Sequence, residues 1–243
     1  MKITILTLFP DMYTGFLTTS IIKKAILKEL VEVEVVDIRP FTTNKHRRVD
    51  DYPFGGGQGL VMAVQPVKDA LASIRQDNSH IVLTSASGNR FNQAKARELS
   101  SKDHLVLLCG HYEGLDERIV GLCNEELSIG DYVLTGGELP SMVIADAVIR
   151  LAEGVIRPES HLDESYENGL LEYPHYTRPE HLDEGDVPDV LMSGNHEAIR
   201  LFRLKESLRK TWLRRPDLFK DRPLSAEETK LMIEILREEA NKR

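Results

Sequence analysis

Leu127-Ser128-Ile129-Gly130-Asp131-Tyr132-Val133-Leu134-Thr135-Gly136-Gly137-Glu138-Leu139-Pro140 is the stretch on which the reading of this chain turns. Its apolar run is broken by Gly130 and Asp131 and then punctuated by Gly136, Gly137 and Pro140, so it fits neither a plain helix nor a plain strand. Glycines there let the backbone take positive φ and let a flat ligand approach main-chain N–H and C=O groups. Slightly upstream, the strand-like run Leu105–Cys109 ends in Gly110-His111-Tyr112-Glu113-Gly114. Two glycine-broken loops after apolar strands point to one ligand held mainly by backbone. Neither loop has the glycine spacing of the dinucleotide fingerprint or of the P-loop.

Working outward, strands alternate with helices. Lys2–Phe9 is an apolar strand, Ile22, Ile26 and Leu30 mark one face of a helix after Ser20, and Val31–Ile38 alternates as a strand with one wet face. Pro66–Ile74 reads as a helix, His80–Ser85 as a buried strand and Phe91–Leu99 as a helix. His104–Cys109 is a second buried strand, and Ser141–Ala152 a long apolar helix carrying Arg150. This order predicts an α/β fold with a parallel sheet covered on both faces. Ligands of such sheets sit at the carboxyl ends of the strands. That brings Thr84–Gly88, Gly110–Gly114 and Ile129–Gly137 to one rim.

After Gly154 the texture changes. Arg157–Glu172 is polar and acidic and reads as a linker. Beyond it Leu201, Leu204, Leu208 and Trp212 share one helix face, and a last helix starts at Ser225 with a capping box closed by Glu228. The second domain is therefore expected to be small and helical.

The 243 residues, 41% hydrophobic and 29% charged, fit a globular chain of one large domain or of one domain plus a small second one. No apolar run approaches a membrane span and no signal peptide is evident, so a cytoplasmic location is expected and no membrane partner. Cys109 and Cys123 form no zinc-ligand pattern, and no histidine pair has metal-ligand spacing, so no metal-ligating residue is assigned. The net charge of −8 speaks against a nucleic-acid binder, but its distribution does not. Glu159–Asp189 holds ten acidic residues against one basic, whereas Glu197–Arg222 holds nine basic against four acidic. The basic run, with Lys45, Arg47 and Arg48, is expected to meet phosphates.

Six stretches in order carry a family resemblance: Leu6–Pro10, Asp50–Gly59, Cys109–Arg118, Ile129–Pro140, Pro174–Pro179 and Val190–His196. Together they make the chain resemble the bacterial tRNA (guanine-N1)-methyltransferases of the SPOUT class, from residue 1 to near the C-terminus. The resemblance implies an α/β fold with a SPOUT-type parallel sheet, a C-terminal trefoil knot and a small all-α C-terminal domain. It implies residues 1–156 as an S-adenosylmethionine-binding domain, 157–172 as linker and 173–243 as a helical tRNA-binding domain. It also implies a homodimer with each site built across the interface, and transfer of a methyl group from S-adenosylmethionine to N1 of guanosine 37 of tRNA.

Carried over residue by residue, the methyl donor is expected to meet Leu83, Thr84, Ser85 and Gly88, then Gly110, Tyr112, Glu113 and Gly114. Ile129, Gly130, Asp131, Tyr132, Val133 and Leu134 follow, with Gly136, Gly137 and Pro140 completing the pocket. Glu113 is placed to balance the donor's positive charge. The Asp50–Gly59 loop lacks the Lys-Ser/Thr of a P-loop, and the resemblance gives it a role in positioning tRNA and covering the site. The same resemblance implies a need for magnesium, acting through carboxylates or the tRNA.

Methylation at N1 of guanine requires loss of the N1 proton and stabilisation of the charge that spreads to O6. The family uses a linker aspartate as base and an arginine at the end of the last helix of the first domain, which maps onto Arg150. The linker departs from the pattern: it reads Asp163-Glu164-Ser165-Tyr166, and it is one residue shorter than is common. Aligned on Ser165, Glu164 takes the position of the base; the shortening leaves Asp163 as the alternative. Ser165 would lend a hydrogen bond near the base. Two other functions stand beside the enzyme: an RNA-binding module without the base, and a generic α/β small-molecule binder, which leaves the basic stretch unexplained.

Overall fold

A computed structural model describes residues 1–156, 164–220 and 222–241, which fall into two compact units, Met1–Ile156 and Arg157–Arg243. The first unit runs β1 (Lys2–Thr7), α1 (Thr14–Thr18), α2 (Ser20–Leu27), β2 (Glu32–Asp37), β3 (Asp50–Asp51), β4 (Val61–Met62) and α3 (Val64–Ile74). It continues with β5 (Ser79–Arg90), α4 (Gln93–Ser100), β6 (His104–Cys109), α5 (Glu117–Val120), β7 (Glu125–Ser128) and α6 (Glu138–Ile149).

Five strands form one sheet in the order β2-β1-β6-β5-β7, and every pairing is parallel, while β3 and β4 make a separate antiparallel ribbon. Side chains alternate between faces along each strand. Ile3, Ile5, Leu105 and Leu107 therefore pack with Ile144 and Val148 of α6 on one face. Leu6, Val106 and Leu108 pack with Val67 and Leu71 of α3 on the other. All of β6 is buried, as expected for the middle strand of a doubly covered sheet.

Two of the boundaries that differ from the sequence reading bear on the site. The strand predicted over His80–Ser85 extends to Arg90: Leu127 of β7 pairs with Thr84 and again with Asn89, so Ser85–Gly88 bulge out between them. The small, polar composition of the bulge hides the strand that resumes beyond it. The helix predicted over Ser141–Ala152 spans Glu138–Ile149, with Arg150 as its C-cap. Pro140 lies in the first turn, where a missing N–H costs no helical bond.

In the second unit, α7 (Asp189–Met192), α8 (His196–Arg214) and α9 (Ala226–Ala240) are the α-helices among the described residues. Leu170, Leu208 and Ile235 centre its small core, with Trp212 and Leu231 packed against them. The Ser225–Glu228 capping box forms as the sequence predicts. Residues 164–172, read as part of a linker, are docked on α8: Leu170 is buried, and the Leu171 N–H donates to Thr211 Oγ1 (2.8 Å). No helix among the described residues is long and apolar enough to cross a membrane.

Candidate functional site

A cavity of 440 Å³ opens at the carboxyl ends of β5, β6 and β7. The bulge after Thr84, the turn after Cys109 and the segment after Ser128 form its walls. Glu113, Glu117 and Glu126 line it, and no Lys or Arg does among the described residues. The surroundings thus favour a cation, and the glycine-lined walls favour a flat group read by main-chain atoms.

Gly137 donates its N–H to the Gly110 carbonyl (2.7 Å), and His111 and Gly136 form an antiparallel bridge. These contacts hold the Thr135–Gly137 segment against the Gly110–Gly114 turn. A Cβ on Gly137 would lie 2.8 Å from Cys109 Cα and from Gly110 N, so only glycine fits without moving backbone. Tyr112 takes φ of 63°, a conformation unusual for a bulky side chain and one found at sites that hold it in place.

Beneath these walls lies a buried polar network. Tyr13 Oη is 2.7 Å from Ser141 Oγ and 3.3 Å from Cys109 Sγ, tying the end of β6 to the first turns of α6. Burial pushes the Tyr13 phenol well above its ordinary range and the Cys109 thiol up to about 12, so both stay protonated at neutral pH. Thr7 Oγ1 donates to Glu138 Oε1 (2.8 Å), and Glu138 Oε2 lies 3.6 Å from His111 Nδ1. Glu138 stands in the first turn of α6, where the helix dipole favours a carboxylate. The Asp50–Gly59 loop continues into a segment stitched to the cavity edge: Glu113 N–H donates to Leu60 O (3.1 Å) and Met62 N–H to Gly114 O (2.9 Å).

Leu83, Thr84, Ser85, Gly110, Tyr112, Glu113 and Gly114 line the cavity, as do Ile129, Gly130, Tyr132, Val133 and Leu134. Gly136, Gly137 and Pro140 complete it. Gly88 and Asp131, expected there, are not among its lining residues. Gly88 instead lets β5 return to β7, since a Cβ on it would lie 2.5 Å from Leu127 N. Asp131 is exposed. Arg150 is half-buried at the far end of α6, ten residues beyond Pro140, or about 15 Å along the axis at 1.5 Å per residue. Glu164 is half-buried in the second unit, and Asp163 lies outside the described residues. Ser165 Oγ accepts from the Glu172 N–H (3.0 Å). Sequence reasoning missed His111, Glu117 and Glu126 as lining residues, whereas Ser87 lies within the Leu83–Gly88 stretch expected there. For His111 the signal was its place between Gly110 and Tyr112; for Glu126 there was none, because it sits inside a strand.

The basic run of the second unit is largely paired. Arg200 binds Glu197 (2.8 Å) and Glu227 (2.6 Å), and Lys205 binds Glu234 (2.9 Å) and Glu238 (2.8 Å). Arg209 binds Glu206 (3.0 Å), Glu239 (2.7 Å) and Glu238. Arg214 and Lys220 form no ion pair among the described residues. Among the described residues, His80, Glu98 and Glu125 are the side chains close enough to share an ion. The Lys95 ammonium already bridges Glu98 (2.6 Å) and Glu125 (3.1 Å), and a hard ion such as magnesium prefers oxygen ligands, so this group does not suit magnesium.

The family model described as tRNA (Guanine-1)-methyltransferase TrmD matches residues 1–221. A tRNA (guanine-N(1)-)-methyltransferase of Dictyoglomus turgidum is 52% identical over 239 residues, covering 98% of both chains. One of Bacillus cereus is 54% identical over 244 residues, covering 98% of this chain and all of the relative. A match of this extent, on a chain whose glycine-broken loops meet at the carboxyl ends of a parallel sheet, means that the protein belongs to the tRNA (guanine-1)-methyltransferase TrmD family.

Proposed function

We propose that this chain is a methyltransferase that transfers a methyl group from S-adenosylmethionine to N1 of guanosine 37 of tRNA. The observation that carries the reading is the cavity: glycine-lined walls, three carboxylates and no Lys or Arg among the described residues. The donor supplies a methyl group on positively charged sulfur, and these surroundings suit it. The main-chain groups of Gly110 and Ile129–Leu134 hold its flat base, and Glu113 faces its charge. The Thr135–Gly137 segment fixes the pocket width, which orients the methyl group and helps exclude water.

The chain's remaining task is proton removal at guanine N1. Glu164 takes that proton, with Asp163 as the alternative, and the Arg150 guanidinium donates to O6 as charge gathers there. Arg150 stands a helix length from the cavity of its own chain, which favours a homodimer whose sites combine residues of two protomers. Leu139 and Val143, each 48% exposed on successive turns of α6, offer an apolar face for that contact. The close passage of Gly137 beside Gly110 favours a trefoil-knotted C-terminal part of the first unit. The second unit serves as the helical tRNA-binding domain, and the cytoplasm is the place where such a substrate is met. Magnesium has no support in the side chains described.

The test is transfer of tritium from labelled S-adenosylmethionine to tRNA transcripts. Label is expected in a transcript with guanosine at position 37 and not in one with adenosine there. Label in both, or in neither, overturns the assignment. Tight tRNA binding without transfer would instead favour the non-catalytic RNA-binding module.

A further inference from the structure

His111 Nδ1 is buried and has no hydrogen-bond partner among the described residues. The nearest acceptor is Glu138 Oε2 at 3.6 Å, beyond a normal hydrogen bond. Glu138 is itself buried, with its other oxygen held by Thr7. Gly136 lies beside both groups and leaves the space between them open: a Cβ there would strike both Glu138 Oε2 and His111 Nδ1. The imidazole cannot swing aside easily, because Phe9 (ring centroids 4.7 Å apart) and Tyr112 (5.1 Å, edge-on) flank it. An unmade contact between two buried polar groups carries a cost that is recovered when they close. Contacts of this kind are often long in a free enzyme and tighten when ligand binds.

We propose that His111 and Glu138 are a positioning pair for the methyl-donor pocket, whose Nδ1–H···Oε2 hydrogen bond closes as the pocket fills and clamps the Thr135–Gly137 segment against the Gly110–Gly114 turn. The proposal rests on the donor reading of the cavity. His111 lines that cavity, so ligand pressing on the Gly110–Gly114 turn acts on the imidazole directly. Thr7 anchors the carboxylate from β1, so the closing movement is that of the Gly110–Gly114 turn, which carries the held imidazole with it. Neither residue reacts; the pair sets the spacing of the two walls.

The test measures binding of S-adenosylhomocysteine to the full chain by calorimetry, with amide exchange of Gly137 in the ligand-saturated protein as a second readout. His111→Leu is expected to weaken binding about 10- to 100-fold, the range for a buried hydrogen bond to a charged group. His111→Asn, whose amide N–H₂ stands near the position of Nδ1, is expected to stay within about threefold of wild type. Glu138→Gln keeps the acceptor for Thr7 but turns a donor toward His111, and is expected to weaken binding as His111→Leu does. The double variant His111→Leu/Glu138→Gln is expected to be no weaker than either single one. Wild-type affinity in His111→Leu, equal loss in His111→Asn and His111→Leu, or full additivity in the double variant each overturns the pair. Gly137 exchange is expected to quicken in His111→Leu and not in His111→Asn. If wild type binds no S-adenosylhomocysteine, the donor reading falls and takes the pair with it; binding by wild type with affinity and bound-state exchange unchanged in His111→Leu overturns the pair alone.

Discussion

Gly137 passes so close to Gly110 that its N–H donates to the Gly110 carbonyl at 2.7 Å, and this contact sets the width of the cavity. Gly137→Ala would press its methyl group on Cys109 Cα and Gly110 N, backbone atoms that cannot yield cheaply. It is expected to abolish S-adenosylmethionine binding and to lower the melting midpoint. Gly110→Ala meets Leu115 Cδ1 (2.7 Å), the end of a side chain that can rotate, and is expected to cost less in both. Calorimetry and thermal melting of the two variants check the order; equal losses would count against it.

Glu164→Gln removes a base while keeping size and polarity. Single-turnover methylation is expected to fall roughly 10²- to 10⁴-fold, and Asp163→Asn to cost much less. Arg150→Ala is expected to slow the same step. A dead Asp163→Asn beside a near-normal Glu164→Gln would exchange the two roles.

Arg150 and the cavity occupy opposite ends of α6, so a site shared by two protomers makes a clear demand. A chain carrying Arg150→Ala is expected to be slow, and a chain carrying a disabled pocket, such as Gly110→Leu, inactive. Co-expressed as mixed dimers, they are expected to regain part of the wild-type rate. No recovery in purified mixed dimers would place both functions in one chain.

The Lys205 and Arg209 hydrogen bonds hold the Glu238 carboxyl down to about 2, against an ordinary value of 4.5. A carboxyl depressed on folding stabilises the native state above its unfolded pKa and loses that contribution as pH falls through the folded one. The melting midpoint of the full chain is therefore expected to fall between about pH 4.5 and 2. Glu228, held low by Arg222 and the capping box against the opposing effect of burial, adds a loss of the same sign. Glu238→Gln is expected to flatten the pH dependence in that window, measured by melting at fixed ionic strength.

Pairing also decides which cations remain for tRNA. Neutralising Arg214, Lys220, Lys45, Arg47 and Arg48 together is expected to weaken tRNA binding and flatten its salt dependence. Arg209→Gln, already satisfied by three glutamates, is expected to lower stability more than affinity. Filter binding over a salt series, with melting as control, separates the two effects. Here the structure amends the sequence reading, in which Arg209 and Lys210 counted with the phosphate-binding residues. Lys210 Nζ donates to the Glu172 carbonyl (3.0 Å) instead.

The sequence by itself determined the elements whose cause is local. Buried strands such as Leu105–Cys109 show as apolar runs, α8 shows as a 3.6-residue period, and Ser225 with Glu228 writes its own cap within one turn. The motifs from Leu6 to His196 determined the family, because their residues recur in order along the chain. Only the tertiary structure decided what depends on partners far apart in the chain. Gly88 reads as part of a ligand loop until β7 is seen against it, and the bulge of Ser85–Gly88 exists because Leu127 pairs on both sides of it. His111 and Glu138 become a pair only when the chain is folded so that the two meet beside Gly136, and the charge of Arg209 is cancelled only when α9 packs on α8. Periodicity records which face of an element is buried; it does not record which distant side chain waits on the other side.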